Sequence, residues 1–443
     1  MSGIIIERGG GLPVAKVRWI VPSGSVQDPR ASEGLTSCAW LSTTRGGRTW
    51  SRAQLASQWG GICRGLVLRA HDFDAEMRAD VPLDRLTSFA KQWRAVIDDC
   101  DPPPQELELL IRDLRGDFAL DFEQPESRAA ALCRRVLWSG DPMGNFPDGS
   151  PASLKGLHGD VMARRRKELH GCGGLLGIAG DVPDETLAVL QQEMGVPERH
   201  PDFFSMARGI APQGHRLGLW HDATQEQASV SLQWSTGRPE AGELMNLRLA
   251  EMLLCSEFSS VLSTEFRQRS GLTYGIHGSH RLHPGGGVFQ LRFSTDGAIG
   301  PRMLGEVLGA LDAFARHLGS FKITDRSGLQ RVAQIPWEGQ ILEDCRLKAL
   351  NSLPFLVATE SDRVARRMEQ LQFGTMGTDI EKRARLLKEA TPESVVRAAQ
   401  WLFERQNMAV AVVDNLAERK AGYLALEQWS VVHEDGASLC GLN

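Results

Sequence analysis

The sequence lacks most of the features that identify common classes of protein. No run of about 18 apolar residues occurs, which argues against a membrane-spanning helix. The eight cysteines contain no Cys-x-x-Cys pair, which argues against a zinc ribbon or a dithiol redox motif. The formal net charge is -5, so there is no excess of basic charge of the kind that nucleic-acid binding requires. Membranes and nucleic acids are therefore not expected partners.

Catalytic motifs of fixed spacing are also missing. There is no Gly-x-x-x-x-Gly-Lys-Ser/Thr phosphate loop, no Gly-x-Ser-x-Gly nucleophile elbow, and neither His-Glu-x-x-His nor His-x-x-Glu-His. His277, His280 and His283 cluster, but their surroundings predict a strand that runs into a turn, where His277 and His280 point to opposite faces. A solvated hairpin is favoured over a metal site. The basic run at residues 164–167 is interpreted as a solvated helix face rather than a nucleic-acid patch.

The sequence gives little indication of a signal peptide or of disulfide bonds. The apolar run near the start contains only Ile4, Ile5 and Ile6, which is too short for the hydrophobic region of a signal peptide. The widely spaced cysteines are not typical of a disulfide framework. We therefore expect reduced thiols and a cytoplasmic protein.

The order of predicted strands and helices occurs twice. Residues 15–21 and 228–234 are β-rich segments, each followed by turn residues and a helical stretch. Residues 174–181 and 408–414 are apolar strands, each preceded by helices and followed by a further helical stretch. The sequence predicts an α+β fold made by tandem duplication of one unit, with a mostly antiparallel sheet and helices on one face.

The duplication predicts two domains and a connection between them. The N-terminal domain comprises residues 1–195 and the C-terminal domain residues 215–443. Residues 196–214 are the predicted linker, because three prolines and several polar residues suit an exposed connection.

One passage of the second half resembles a known family. Residues 259–276, with the sequence SSVLSTEFRQRSGLTYGI, are similar to the C-terminal domain of the M16 zinc peptidases, which include pitrilysin and the mitochondrial processing peptidase. The motif of that family runs small-Ser-x-Leu, then Leu-Arg-Glu, then Gly-Leu-x-Tyr. Residues 33–35 resemble the approach to its zinc helix. Residues 179–182 and 391–413 resemble the ends of its first and second domains, so the resemblance extends over essentially the whole chain.

The resemblance implies that the zinc site has been lost. Active members carry His-x-x-Glu-His after a Gly-Leu pair, with both histidines on one helix face and the glutamate activating water. The corresponding positions are Ser37, Trp40 and Leu41, and none of these can do that work. The third ligand of the family falls near Asp117. We therefore expect no metal or other cofactor in this chain, and we interpret Trp40 as an apolar filler.

The resemblance also implies that a substrate-binding pair is kept. Arg267 and Tyr274 match the arginine and tyrosine that contact the substrate backbone and the scissile carbonyl, opposite the zinc, in the family. Such donors stabilise an oxygen that gains charge in the transition state. Arg269 is the alternative if the alignment shifts by two residues. In the competing structural interpretation, Tyr274 is a half-buried strand residue and Arg267 pairs with a carboxylate.

Two functions of different classes follow from the resemblance. In the first, the chain is inactive alone and is the zinc-free subunit of a heterodimeric M16B-type metallopeptidase. Its partner would carry His-x-x-Glu-His and the zinc, and Arg267 and Tyr274 would act in trans on short peptides, with precursors of natural products or of cofactors such as pyrroloquinoline quinone as one substrate class. In the second, the chain is a purely structural scaffold, like the core subunits of the cytochrome bc1 complex. An autonomous peptidase lacks any ligand set in the sequence.

Overall fold

The computed structural model of the protein describes residues 3–203, 213–374 and 379–442. These residues form two compact units, each made from three stretches of chain. The first unit contains residues 3–119, 145–203 and 354–374. The second unit contains residues 120–144, 213–353 and 379–442. The domains predicted from the duplication, residues 1–195 and 215–443, stay a prediction. Residues 204–212 of the predicted linker lie outside the described residues.

The elements are numbered along the chain. The strands are β1 Ile4–Glu7, β2 Val14–Val21, β3 Arg64–Ala70, β4 Ala75–Pro82, β5 Leu175–Ala179, β6 Gly214–His221, β7 Gln227–Thr236, β8 Thr273–His283, β9 Gly286–Asp296, β10 Ser320–Thr324, β11 Gln330–Gln334, β12 Asn407–Asp414 and β13 Val431–His433. The helices are α1 Leu35–Leu41, α2 Arg52–Ile62, α3 Leu86–Asp99, α4 Pro104–Asp121, α5 Pro125–Leu137, α6 Pro151–Lys155, α7 Gly159–Gly171, α8 Asp184–Glu193, α9 Ala241–Glu251, α10 Gly300–Ala315, α11 Gln340–Ser352, α12 Glu360–Phe373, α13 Ile380–Glu389, α14 Pro392–Phe403, α15 Lys420–Leu424 and α16 Gly436–Leu439. Two π-helical segments follow α9, at Met252–Ser256 and Ser263–Arg269.

The two main sheets have the same strand order. The first sheet runs β1-β5-β2-β4-β3, and the second runs β13-β6-β12-β7-β9-β8. In the first sheet β1 pairs with β5 in parallel, and in the second sheet β6 pairs with β12 in parallel. The remaining neighbours from β5 to β3 and from β12 to β8 pair in antiparallel fashion. The second sheet has one further strand, β13, parallel to β6. The predicted α+β class with mostly antiparallel sheets is confirmed, and the shared order is what a tandem duplication produces.

Each sheet packs its more apolar face against helices. In the first unit, Trp19 of β2 meets Trp40 of α1 and Trp93 of α3, with ring centroids 6.0 Å and 5.9 Å away. In the second unit, Trp234 of β7 lies 6.1 Å from Phe403 of α14, and its indole N–H donates to the carbonyl oxygen of Leu402 at 2.6 Å. Large aromatic rings therefore fill both sheet–helix interfaces, where each buries a large apolar area.

One helix also covers part of the opposite face of each sheet. Val364 and Met368 of α12 pack on β1 and β5, where Gly177 leaves no room for a Cβ beside them. On the second sheet, the carbonyl oxygen of Ala130 in α5 accepts a hydrogen bond from the Gln233 side chain at 3.2 Å. The helices are thus not restricted to one face of each sheet. Each covering helix also comes from the predicted half that does not supply the sheet.

Several predicted helices differ in extent from the observed ones. The stretch expected after residue 414 contains only the short α15, and the helical region expected before the strand at residues 174–181 is divided into α6 and α7. Gly156 caps α6, and His158 is the extended residue from which α7 begins. Within the residues that are described, no helix is both long enough and apolar enough to cross a membrane.

Candidate functional site

Arg267 and Tyr274 lie on one helix–turn–strand segment of the second unit. Arg267 belongs to the π-helical segment Ser263–Arg269, and Tyr274 is the second residue of β8. Gly271 joins the two with a φ of 60°, a left-handed conformation that glycine adopts without strain. Its N–H donates to the carbonyl oxygen of Arg267 at 3.2 Å. A short, hydrogen-bonded turn therefore fixes how β8 leaves the helix.

The side chain of Tyr274 is exposed because β8 is irregular there. The pairing of β8 with β9 shifts between Thr273 and Ile276, which is the position of a β-bulge. The N–H of Gly275 donates to the Thr273 hydroxyl at 3.1 Å, and that hydroxyl donates to the carbonyl oxygen of Ser294 at 2.6 Å. Tyr274 is 78% exposed. The half-buried tyrosine of the structural interpretation is therefore not observed.

The side chain of Arg267 is exposed and makes no ion pair within the described residues. Its guanidinium carbon lies 4.5 Å from the centre of the Phe258 ring. Arg269, by contrast, is bound to Glu265, with 2.8 Å between Nη1 and Oε1. Arg267 therefore keeps its charge and its donors available, which favours Arg267 over Arg269 as the arginine of the pair.

Glu265 holds this helix end to a neighbouring hairpin. Its carboxylate is buried and also binds Arg331 of β11. Arg331 donates in addition to the carbonyl oxygen of Glu265 at 2.9 Å and to the hydroxyl of Ser270 at 2.5 Å. Because a buried carboxylate with two arginine partners is costly to disrupt, the segment that carries Arg267 has a fixed base.

The positions that the resemblance aligns with a zinc motif lie on α1 in the first unit, and Trp40 is fully buried there. Its indole N–H donates to the carbonyl oxygen of Glu76 at 2.8 Å. Its ring lies 6.2 Å from that of Trp93 and 5.3 Å from that of His170. Burial, reinforced by the nearby Arg166, lowers the pKa of His170 to about 3, so this histidine is neutral. Trp40 therefore packs as a core residue in an aromatic cluster.

The remaining zinc-motif positions do not come together as a donor set. The Ser37 hydroxyl donates to Asp148 at 2.5 Å, and Leu41 is a partly buried aliphatic residue. Asp117 is an exposed residue of α4. Across residues 3–203, 213–374 and 379–442, no group of three or more His, Cys, Asp or Glu side chains could hold a metal ion.

A cavity of about 460 Å³ lies beside the first sheet and was not expected from the sequence. Its walls include Leu41 of α1, Arg45, Arg52 and Trp59, and residues 66–68 of β3. Strand β3 is the edge of its sheet. Edge strands expose backbone groups that can pair with an extended peptide. No sequence motif marks this cavity, because its wall residues come from several separate elements.

The three clustered histidines do not converge. His277 is exposed, whereas His283 is buried. His280 lies 2.7 Å from the Thr236 hydroxyl, and burial lowers its pKa to about 4. The hairpin predicted from the sequence is formed by β8 and β9.

The basic run on α7 is only partly solvated, which corrects the predicted fully solvated face. Arg164 and Lys167 are exposed. Arg166 is buried and donates to the Ser42 hydroxyl at 2.8 Å. Arg165 donates to the Ser23 hydroxyl at 2.9 Å. Two of the four cations therefore tie α7 to the interior instead of facing water.

The sequence is similar to a protein family over part of its length. Residues 175–327 match the model of the family described as the peptidase M16 inactive domain, and this segment contains Arg267 and Tyr274. The matched segment is less than half of the chain and does not include α1. No curated protein matches the sequence.

Solved structures resemble the chain over nearly its whole length. A peptidase M16 inactive domain from Pseudomonas fluorescens has a TM-score of 0.75 and 17% identity, covering 93% of this chain and 94% of that one. A protease from Helicobacter pylori has a TM-score of 0.76 and 10% identity, covering 93% and 97%. The periplasmic protease PqqL from Escherichia coli has a TM-score of 0.69 and 13% identity, covering 96% of this chain and 48% of that one. At these identities the likeness shows the fold alone.

Proposed function

We propose that this chain is the zinc-free subunit of an M16B-type metallopeptidase made of two different subunits. The observation that carries the proposal is the contrast between two places in the chain. The zinc-motif position is filled by the buried Trp40, whereas Arg267 and Tyr274 are exposed together on one helix–turn–strand segment. The family match over residues 175–327 supports the second half of this contrast, because that segment contains Arg267 and Tyr274.

Arg267 and Tyr274 provide the hydrogen-bond donors that peptide-bond cleavage requires on the side of the substrate opposite the metal. The guanidinium group has five N–H donors and a permanent charge, and the phenol has one O–H donor. Both bind the backbone carbonyl oxygens of an extended peptide and stabilise the oxygen that gains charge. The His-x-x-Glu-His motif of the partner would hold zinc, which would supply Lewis-acid polarisation of the same bond.

The proposed substrate is a short, unfolded peptide, with precursors of natural products or cofactors as one class. Two of the similar structures are titled proteases, which supports proteolysis as the reaction of the complex. We propose the cytoplasm as the compartment, and the wide spacing of the eight cysteines supports it because that spacing is not typical of a disulfide framework. One similar structure is titled periplasmic, so fractionation with a periplasmic marker is the appropriate check.

The test is reconstitution of peptide cleavage from two purified proteins. The chain, a partner that carries His-x-x-Glu-His, and their mixture are assayed for zinc content and for hydrolysis of a fluorogenic peptide. We expect one zinc per heterodimer and cleavage only by the mixture. Tyr274→Phe removes one donor and should lower kcat about a hundredfold with zinc content unchanged.

The outcomes separate the proposal from its alternatives. A stable heterodimer that cleaves no peptide would support the scaffold instead. Stoichiometric zinc and cleavage by this chain alone would show that the interpretation of Ser37, Trp40 and Leu41 is wrong.

A further inference from the structure

We propose that Phe258 is a positioning residue for Arg267, which its ring orients without occupying the donors that bind substrate. The inference rests on the proposed role of Arg267 in peptide binding. Phe258 belongs to the turn between the two π-helical segments, and it is 63% exposed despite its large apolar ring. Burial in a core does not account for its position.

The contact between the two side chains is close enough to orient the cation. The guanidinium carbon of Arg267 lies 4.5 Å from the centre of the Phe258 ring. Within about 6 Å, a cation is attracted to the negative face of an aromatic ring. Phe258 therefore limits the conformations of a long side chain that would otherwise move freely in water.

An aromatic partner leaves Arg267 chemically available, which a carboxylate partner does not. Arg269 shows the contrast within the same helix, because Glu265 accepts from one of its N–H donors and compensates its charge. A ring takes no N–H donor, since the attraction acts through its electron-rich face. Arg267 is thereby oriented in advance while its N–H groups can still reach the carbonyl oxygens of a peptide.

Hydrogen bonds to the main chain hold the turn that carries the Phe258 ring. The N–H of Ser260 donates to the carbonyl oxygen of Glu257 at 3.0 Å, which closes the turn. The side chain of Gln268 donates to the carbonyl oxygen of Phe258 at 3.2 Å. Gln268 and Arg267 are neighbours in the helix, so the turn and the helix are joined both by this hydrogen bond and by the ring contact.

The experiment uses the reconstituted heterodimer and compares variants that keep or remove the aromatic face. Phe258→Leu keeps an apolar side chain of similar reach, and Phe258→Tyr keeps the ring. We expect Phe258→Leu to lower kcat/KM about threefold to tenfold and Phe258→Tyr to keep kcat/KM near the native value. Adding Phe258→Leu to Arg267→Ala should cause no further loss. Phe355→Leu is the matched control, because Phe355 is also a highly exposed phenylalanine.

A second readout needs no partner. In the isolated chain with labelled arginine, the side-chain protons of Arg267 should show a ring-current shift by NMR, which Phe258→Leu abolishes and Phe258→Tyr keeps. If Arg267→Ala lowers cleavage but Phe258→Leu does not, Phe258 does not position Arg267 and the proposed function stands. If Arg267→Ala leaves cleavage unchanged, both the positioning role and the proposed function are overturned.

Discussion

Arg269 donates to the carboxylate of Glu265 one turn earlier in the same helix, with 2.8 Å between Nη1 and Oε1. This ion pair distinguishes two arginines that the sequence places only two residues apart. Because Arg269 is engaged internally and Arg267 is not, the two should respond differently to truncation.

Arg267→Ala should lower kcat of the reconstituted complex about a hundredfold, because a charged donor to the reacting carbonyl is lost. Arg269→Ala should change kcat by no more than about twofold, since it removes a partly exposed ion pair. Steady-state cleavage of a fluorogenic peptide measures both. The reverse order of effects would show that the motif is aligned two residues out of place.

Restoring the zinc motif should not restore a zinc site. In the variant with Ser37→His, Trp40→Glu and Leu41→His, two ligands are supplied, but catalytic zinc needs three protein ligands. Asp117 is exposed on α4, and no existing cluster supplies a third ligand among the residues the structure describes. We expect well below one zinc per chain by elemental analysis after dialysis. The variant with only Ser37→His and Leu41→His keeps the core tryptophan and serves as the folding control. One tightly bound zinc in either variant would contradict the expectation.

Gly177→Ala should destabilise the first unit. A Cβ at this position would overlap Val364 and Met368 of α12, and the branched Val364 side chain has little freedom to move away. Overpacking of this kind costs about 1–3 kcal/mol of unfolding free energy. Urea denaturation followed by tryptophan fluorescence measures the change. Gly171→Ala is the matched control, because a Cβ there meets nothing within 4 Å. Equal effects of the two substitutions would show that α12 does not pack as described.

Glu251 should make the protein less stable as the pH rises. Burial raises the pKa of Glu251 to about 8 from the ordinary value of 4.5, and one of its oxygens has no hydrogen-bond partner among the described residues. Between these values the folded protein holds a proton that the unfolded chain has released, so stability falls as pH increases through this window. The loss is on the order of a few kcal/mol. Glu251→Gln should flatten the dependence in urea unfolding at pH 5, 7 and 9. Glu418→Gln, at an exposed position, should leave it unchanged.

Buried and strongly patterned elements could be predicted from the sequence. The alternation at residues 228–234 and the apolar run at residues 408–414 correspond to β7 and β12, because central strands need apolar residues. Strand β8 was harder to predict, since its glycines and histidines obscure the pattern of an edge strand. Thr391 caps α14, with its side chain accepting from the N–H of Ser394.

The candidate site was only partly predictable. Arg267 and Tyr274 could be found because they belong to a motif of fixed spacing. Phe258 could not, since a single exposed aromatic residue has no periodicity. The covering roles of α5 and α12 were also hidden, because an amphipathic pattern shows that a helix has an apolar face but not which sheet it will meet.

The exchange of covering helices has a consequence for how the protein can be divided. Separate expression of residues 1–195 and 215–443 would leave each sheet without the helix that packs on Gly177 or receives Gln233. Each fragment would expose an apolar surface and would be prone to aggregate. Mixing the fragments supplies both missing helices, so fragment complementation is the expected behaviour. Two identical protomers that swap a helix and are then fused into one chain would show the same reciprocal exchange.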